Sequence, residues 1–309
     1  MTAPLHLIGA PSSAGAYAPG QERAPAALRA AGLLTILAAR GIDVVDHGDV
    51  PGVRWRVDRA EPRAMNAAAA AGVARAVADE VALALADHGQ VLVLGGDCTV
   101  ELGTVAGATR DTDDVGLVYI DLDTDLNTPV SVEDGALDWM GVAHVLGLDH
   151  TSAALADVGP RSPMLRPDQV LFFADDNLTP FERATIDARE IAEVRLAEVA
   201  ADPAGAARRV VDGWASGFER LLIHVDVDVL DFLDLPIAEE TRRNRGLRFE
   251  QLTAALGVFV AAPNWVALTI CEINPDHGEA DGSTLRTFSE GLAEVLAGAT
   301  GLRAAGDQG

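Results

Sequence analysis

Three short acidic stretches, each placed directly after an apolar run, constrain this chain more than any other feature. Gly95-Gly96-Asp97-Cys98 follows Val91–Leu94, Asp121-Leu122-Asp123-Thr124-Asp125 follows Val115–Ile120, and Asp226-Val227-Asp228 follows Leu221–Val225. Short uninterrupted runs of Val, Leu and Ile are the pattern of strands buried on both faces of a parallel sheet. In open α/β sheets, ligands bind beyond the carboxyl ends of such strands. Acidic residues two apart in extended backbone point to one face. Asp121, Asp123, Asp125, Asp226, Asp228 and Cys98 converging there repel one another unless they are protonated, hydrogen-bonded or neutralised by cations. A metal centre is the economical explanation.

The rest of the sequence alternates between strand and helix patterns. Leu5–Gly9, Ile42–Val45, Val91–Leu94, Val115–Asp121, Val170–Phe173, Leu221–Asp226 and Trp265–Cys271 read as strands. Ala60–His88, closed by Gly89 as a C-cap, reads as a helix, as do Pro180–Arg189, Ala206–Ser216, Phe249–Ala261 and Ser283–Ala297. Seven or eight strands with helices between them describe a parallel sheet covered on both faces, an α/β fold of three layers. With 309 residues, 49% of them hydrophobic, the chain can bury a large core. The expectation is a single domain over residues 1–303 and a flexible tail over 304–309.

Charge narrows the function classes. The 47 acidic residues against 23 basic ones give a formal net charge of −24, which argues against nucleic acid or an anionic membrane as partner. All the basic residues are arginine. Without lysine, Schiff-base catalysis and Walker-type phosphate binding are excluded. Cys98 and Cys271 make no disulfide framework, no apolar stretch is long enough to span a bilayer, and the start lacks a signal-peptide pattern. A cytoplasmic location and a small-molecule substrate are the resulting expectations.

The ordered motifs resemble the ureohydrolases, the family of arginases and agmatinases. The resemblance covers nearly the whole chain. It begins at Gly9-Ala10-Pro11-Ser12, passes through the three acidic stretches and His224-Val225-Asp226-Val227-Asp228-Val229-Leu230-Asp231, and ends at Glu272-Ile273-Asn274-Pro275. It implies a three-layer arginase-like fold with a mostly parallel central sheet, assembled as trimers or hexamers. It also implies attack by a metal-bridging hydroxide on a guanidinium carbon. By resemblance, Asp121, Asp125, Asp226 and Asp228 are metal ligands, with Asp121 and Asp226 bridging. Glu272 pairs with the substrate guanidinium, Asn127 contacts the far end of the substrate, and Thr241 belongs to the substrate pocket.

Three departures stand out. Cys98 and Asp123 replace the family's two histidine ligands, and Asp138 replaces a histidine used as a proton shuttle. Cys98 and five aspartates would carry about −6 if all were ionised. Asp123 suits a hard ion such as Mn²⁺ or Mg²⁺, whereas a Cys98 thiolate suits Zn²⁺ or Fe²⁺, so unequal metal sites are expected. Mn²⁺ is the first expectation, as one or two ions, with none if the site is a relic.

Among the histidines, His224 and His144 read as structural, and Cys271 reads as core, facing away from Glu272. His277, in the loop after Glu272, is the candidate to replace the lost proton shuttle. Arg242, Arg243 and Arg245 read as a solvated loop pairing with Glu239 and Glu240. The functional expectation is a metal-dependent hydrolase of C–N bonds in a guanidino compound other than arginine. The alternatives are a metal-depleted binding or regulatory subunit, and an enzyme of changed reaction using Cys98 or Asp138 as nucleophile or general acid.

Overall fold

A computed structural model describes the backbone of residues 4–306 and the side chains of residues 4–298. Eight strands form one sheet: β1 (Leu5–Gly9), β2 (Val44–Asp49), β3 (Gln90–Leu94), β4 (Val115–Ile120), β5 (Val170–Phe173), β6 (Ala192–Val194), β7 (Arg220–Asp226) and β8 (Trp265–Cys271). All pairs are parallel, in the order β2-β1-β3-β8-β7-β4-β5-β6.

Alternation along each strand divides the core into two layers. Leu7, Leu92, Leu94, Val118, Ile120, Ile223 and Val225 pack on one face, whereas Ile8, Val91, Val93, Leu117, Tyr119 and Leu222 pack on the other. The first face is covered by helices that include Phe249–Val260 and Ser283–Gly306, and the second by Ala67–Ala86 and Glu101–Ala108. The expected three-layer α/β/α architecture is the observed one.

This order places the site. The strands that precede the acidic stretches and Glu272 are β3, β4, β7 and β8, and they form the contiguous centre of the sheet as β3-β8-β7-β4. Their carboxyl ends therefore open at one edge, where the chain passes from β3 across two other strands to β4. That is the topological switch point of an open parallel sheet.

Differences from the expected elements are local. The helix expected over Ala60–His88 is Ala67–Ala86, preceded by Asn66 in a left-handed conformation (φ 59°). Its end also differs from a glycine cap: His88, not Gly89, takes positive φ (58°), and an added Cβ on Gly89 would lie 2.1 Å from the His6 ring. The last helix continues to Gly306, into the segment expected as a tail, and residues 307–309 lie outside the described residues.

Candidate active site

The turn after β3 is held by Asp97 and two glycines. Asp97 is fully buried, and its Oδ2 accepts hydrogen bonds from Ser12 Oγ (3.0 Å) and the Gly15 N–H (3.1 Å). Its Oδ1 accepts from the Thr99 N–H (3.0 Å), so this carboxylate is spent on joining the loop after β1 to the start of the next helix. Gly96 permits the approach: a Cβ there would lie 1.6 Å from the Ser12 carbonyl oxygen. Cys98 follows, its N–H donating to Glu272 Oε1 at 3.0 Å.

After β4, Asp121 Oδ1 accepts the Asp123 N–H (2.9 Å), while its Oδ2 is buried without a hydrogen-bond partner. The same arrangement recurs after β7, where Asp226 Oδ1 accepts the Asp228 N–H (2.7 Å) and Asp228 Oδ1 is left buried and unpartnered. Donor oxygens of Asp121, Asp123 and Asp228 lie within 4.8 Å of one another. Asp125 sits on left-handed backbone (φ 50°) and accepts a hydrogen bond from the Tyr119 hydroxyl.

Burial raises the carboxyl pKa values at this floor. Asp121 is pushed well above the usual carboxylate range by burial and then by the charges of Asp226 and Asp228. Asp226 is raised by burial and by Asp228, and Asp125 is raised chiefly by burial. Asp228 is raised to about 7 by burial, against the opposing pull of Arg242. These groups cannot all ionise together without a cation.

One cation is already there. Arg242 reaches in from the loop after β7, with Nη2 2.7 Å from Asp123 Oδ2 and Nη1 3.2 Å from Asp228 Oδ2. Both acids are largely buried, and the Arg242 side chain is about four-fifths buried. The expected solvated arginine loop pairing with Glu239 and Glu240 is thus corrected. Arg242 bridges the acidic cluster, Arg245 pairs with Asp176 (2.9 Å), and Arg243 stacks over Phe232 at 5.4 Å.

Glu272, at the end of β8, completes the floor. Its backbone is also left-handed (φ 64°), its Oε2 accepts from Gln21 Nε2 at 3.0 Å, and burial followed by the Asp226 charge raises its pKa well above normal. A cavity of about 440 Å³ stands over these groups, lined by Asp123, Asp125, Asp138, Asp226, Asp228, Arg242 and Glu272. Of its other lining residues, Tyr17, Asp134 and Glu240 are exposed and so mark its mouth, with Trp139 and Glu239 half-buried beside them.

The site residues expected from sequence divide clearly. Those named above line the cavity, with Asp121 and Cys98 buried just behind. Asn127 is fully buried outside the cavity lining, its Oδ1 taken by Ser131 (2.9 Å) and Thr179 (3.3 Å). Thr241 and His277 are outside the lining as well, and His277 Nδ1 donates to the Ala238 carbonyl at 2.6 Å. Arg242 as a cluster cation, Gln21 and Tyr17 were missed. Tyr17, in a Gly-rich loop, carries no local signal of the pocket it lines, and Gln21, opening the 3-10 turn Gln21–Arg23, none of the Glu272 carboxylate it reaches.

The donor chemistry fits one hard divalent ion better than the two that the family resemblance implies. The Asp121–Asp123–Asp228 group supplies carboxylate oxygens at close range, two of them buried and unpartnered. Such oxygens suit Mn²⁺ or Mg²⁺. The other half differs. The Cys98 thiol lies 3.4 Å from His224 Nε2 and 3.2 Å from Asp226 Oδ2, and burial pushes its pKa well above that of a free thiol. Asp125 there is engaged by Tyr119.

Comparison with known proteins bears on the fold and the lineage. The profile of the arginase family matches residues 3–298. The arginase of Bacillus caldovelox is 28% identical over 277 residues, covering 88% of this chain and 91% of that protein. Human arginase-1 is 27% identical over 304 residues, covering 95% and 92%. Among solved structures, B. caldovelox arginase superposes with a TM-score of 0.86 at 24% identity, covering 96% of this chain and 98% of that one. A formiminoglutamase of Trypanosoma cruzi, solved with Mn²⁺, superposes at 0.73 with 18% identity, covering 96% and 94%. A profile matched from one end of the chain to the other settles the lineage: this protein belongs to the arginase family.

Proposed function

We propose that this protein hydrolyses a C–N bond of a guanidino or other linear amidine compound, using one hard divalent ion held by the acidic cluster. The observation that carries the reading is the pair of buried, unpartnered oxygens on Asp121 and Asp228, at the floor of a cavity that Glu272 also lines. The arginases and formiminoglutamases among its relatives act on substrates of this chemistry, which supports the reaction class. When bound, Mn²⁺ would lower the pKa of a coordinated water and so supply a hydroxide nucleophile.

The chain's own residues do the rest. Asp121, Asp226 and Asp228 would hold the ion, with Asp123 shared between it and Arg242. Glu272 faces the cavity with lone pairs to spare beyond its bonds to Gln21 and the Cys98 N–H. An entering guanidinium favours its charged form and is fixed there by paired hydrogen bonds. Asp138, whose pKa burial raises well above normal, holds a proton on the same cavity wall for the departing nitrogen.

The mouth argues for the substrate's other end. Asp134, Glu239 and Glu240 repel a carboxylate, and Asn127 lies outside the lining. A guanidinoalkyl amine fits this acidic entrance better than a guanidino acid such as arginine. We assign the protein as a homo-oligomer on family grounds, to be checked by sedimentation velocity.

A second reading is favoured by Arg242. A guanidinium seated between Asp123 and Asp228 neutralises part of the cluster without any metal, as a binding subunit with a relic site would require. Elemental analysis of protein purified without added metal decides between them, together with a Mn²⁺ titration followed by melting temperature and by turnover of agmatine. One equivalent of metal, a melting point rising with Mn²⁺ and amine release support the hydrolase. No metal, no shift and no turnover leave the binding subunit.

A further inference from the structure

Beneath the acidic floor, the apolar layer on one face of the sheet is interrupted by a polar seam. Cys98, Cys271, His224 and Glu101 are each at most 2% exposed. His224 stands two residues before Asp226 on β7, so both side chains leave the same face of the strand, and both meet the Cys98 sulfur. Cys271 ends the neighbouring strand, where Asp226 pairs with it in register. Room for its sulfur is made by Gly95, at which a Cβ would lie 2.6 Å from Cys271 Sγ.

We propose that Cys98, Cys271 and His224, with Asp226 Oδ2 as fourth ligand, form a buried site for one soft divalent cation, Zn²⁺ by its donor set. The donor atoms of Cys98, His224 and Cys271 all lie within 4.8 Å of one another. Cys98 Sγ is 3.4 Å from His224 Nε2 and 3.2 Å from Asp226 Oδ2. Bond lengths of about 2.3 Å to sulfur and about 2.0 Å to nitrogen or oxygen give tetrahedral edges of about 3.5 Å, close to the two distances from Cys98 Sγ to His224 and to Asp226.

A separate observation points the same way. Both carboxylate oxygens of Glu101 are buried without a hydrogen-bond partner, and Oε2 lies 3.4 Å from His224 Nδ1. An unpaired buried carboxylate is costly unless it has a use. An imidazole that gives Nε2 to a metal turns Nδ1–H toward such a carboxylate, which fixes its tautomer and orientation. Tyr119, stacked on the His224 ring at 4.0 Å and 9°, holds the ring plane. Burial raises both thiols above their ordinary pKa, Cys271 to about 11, so an ion must displace their protons as it binds.

The test is zinc X-ray absorption on the wild-type chain, stripped with a chelator under reducing conditions and reloaded with one equivalent of Zn²⁺. Two sulfur neighbours at about 2.3 Å, with nitrogen and oxygen completing four, are expected. Cys271→Ser should halve the sulfur shell and weaken Zn²⁺ binding at least tenfold. If that variant does not fold, the wild-type spectrum decides alone. An oxygen-only shell, failure to bind Zn²⁺, or a Cys98–Cys271 disulfide that survives reduction would overturn the site. Asp123→Asn separates this inference from the hydrolase reading: it should weaken Mn²⁺ binding in the cavity and leave the zinc–sulfur shell unchanged.

Discussion

Arg242 is the residue whose role was least legible. Its partners Asp123 and Asp228 are 119 and 14 positions away in the chain, and no local pattern announces that a loop arginine will fold back into a carboxylate cluster. The aspartates were legible because strand-end position and period-two spacing fix where they point. Arg242 competes with any metal for those oxygens. Arg242→Ala should therefore tighten Mn²⁺ binding by about tenfold, equivalent to about 1.4 kcal/mol, as read by isothermal titration. A loss of affinity would mean that Arg242 helps to build the ion site. Asp226→Asn should abolish tight Mn²⁺ binding, because it removes the charge on the carboxylate between the two halves of the floor. Retained binding would remove Asp226 from the ligand set.

At the level of elements, strand positions were readable wherever both faces are buried, since such strands are written as apolar runs. The strand that escaped, β6, is a three-residue edge strand with every residue only half-buried, so it has neither run nor alternation. The turn after β3 carries a sharper expectation. Gly96→Ala should destabilise the fold by at least about 2 kcal/mol, because the backbone of Ser12 cannot yield to a Cβ 1.6 Å away. Chemical denaturation would measure it, and a change below 0.5 kcal/mol, within the range of ordinary surface substitutions, would show that the turn can move.

The short helix Gly141–Val145 gives a pH signature. His144 accepts the Ser152 N–H at Nε2 (2.9 Å), donates from Nδ1 to Met140 (2.7 Å), and is held neutral by burial with its pKa lowered from 6.5 to about 4. Between those values the unfolded chain binds the extra proton, so the contribution is present above pH 6.5 and fades as pH falls toward 4. Its full size is about 3 kcal/mol. His144→Gln should flatten this part of the stability–pH curve when subtracted from wild type. An unchanged slope would show that the imidazole titrates normally.

Across the whole molecule, the order β3-β8-β7-β4 gathers segments from residues 95 to 272 over one sheet edge, and that gathering was predictable from strand-end motifs alone. What the motifs could not show is the shape of the cavity above them, because its walls come from the irregular segments carrying Tyr17 and Glu239 and from the single 3-10 turn carrying Trp139. No described helix is long and apolar enough to cross a membrane. Saturating Mn²⁺ should raise the melting temperature of the intact protein, with about 2.7 kcal/mol of added stability at a hundredfold excess over Kd. A Tm indifferent to Mn²⁺ but raised by agmatine would favour a binding protein.

The left-handed backbone at Asp125 and Glu272 has a consequence for what it costs the fold to keep an acid at each position. Glycine occupies such a conformation freely and aspartate visits it, whereas a glutamate there is strained by about 1–2 kcal/mol. That cost is offset by the hydrogen bonds the two carboxylates accept, from Gln21 and the Cys98 N–H at Glu272 and from the Tyr119 hydroxyl at Asp125. The two acids stand at φ 50° and 64°. Glu272→Gly should relax the backbone yet leave two buried donors without an acceptor, so chemical denaturation should show no gain in stability, and affinity for guanidino compounds should be lost.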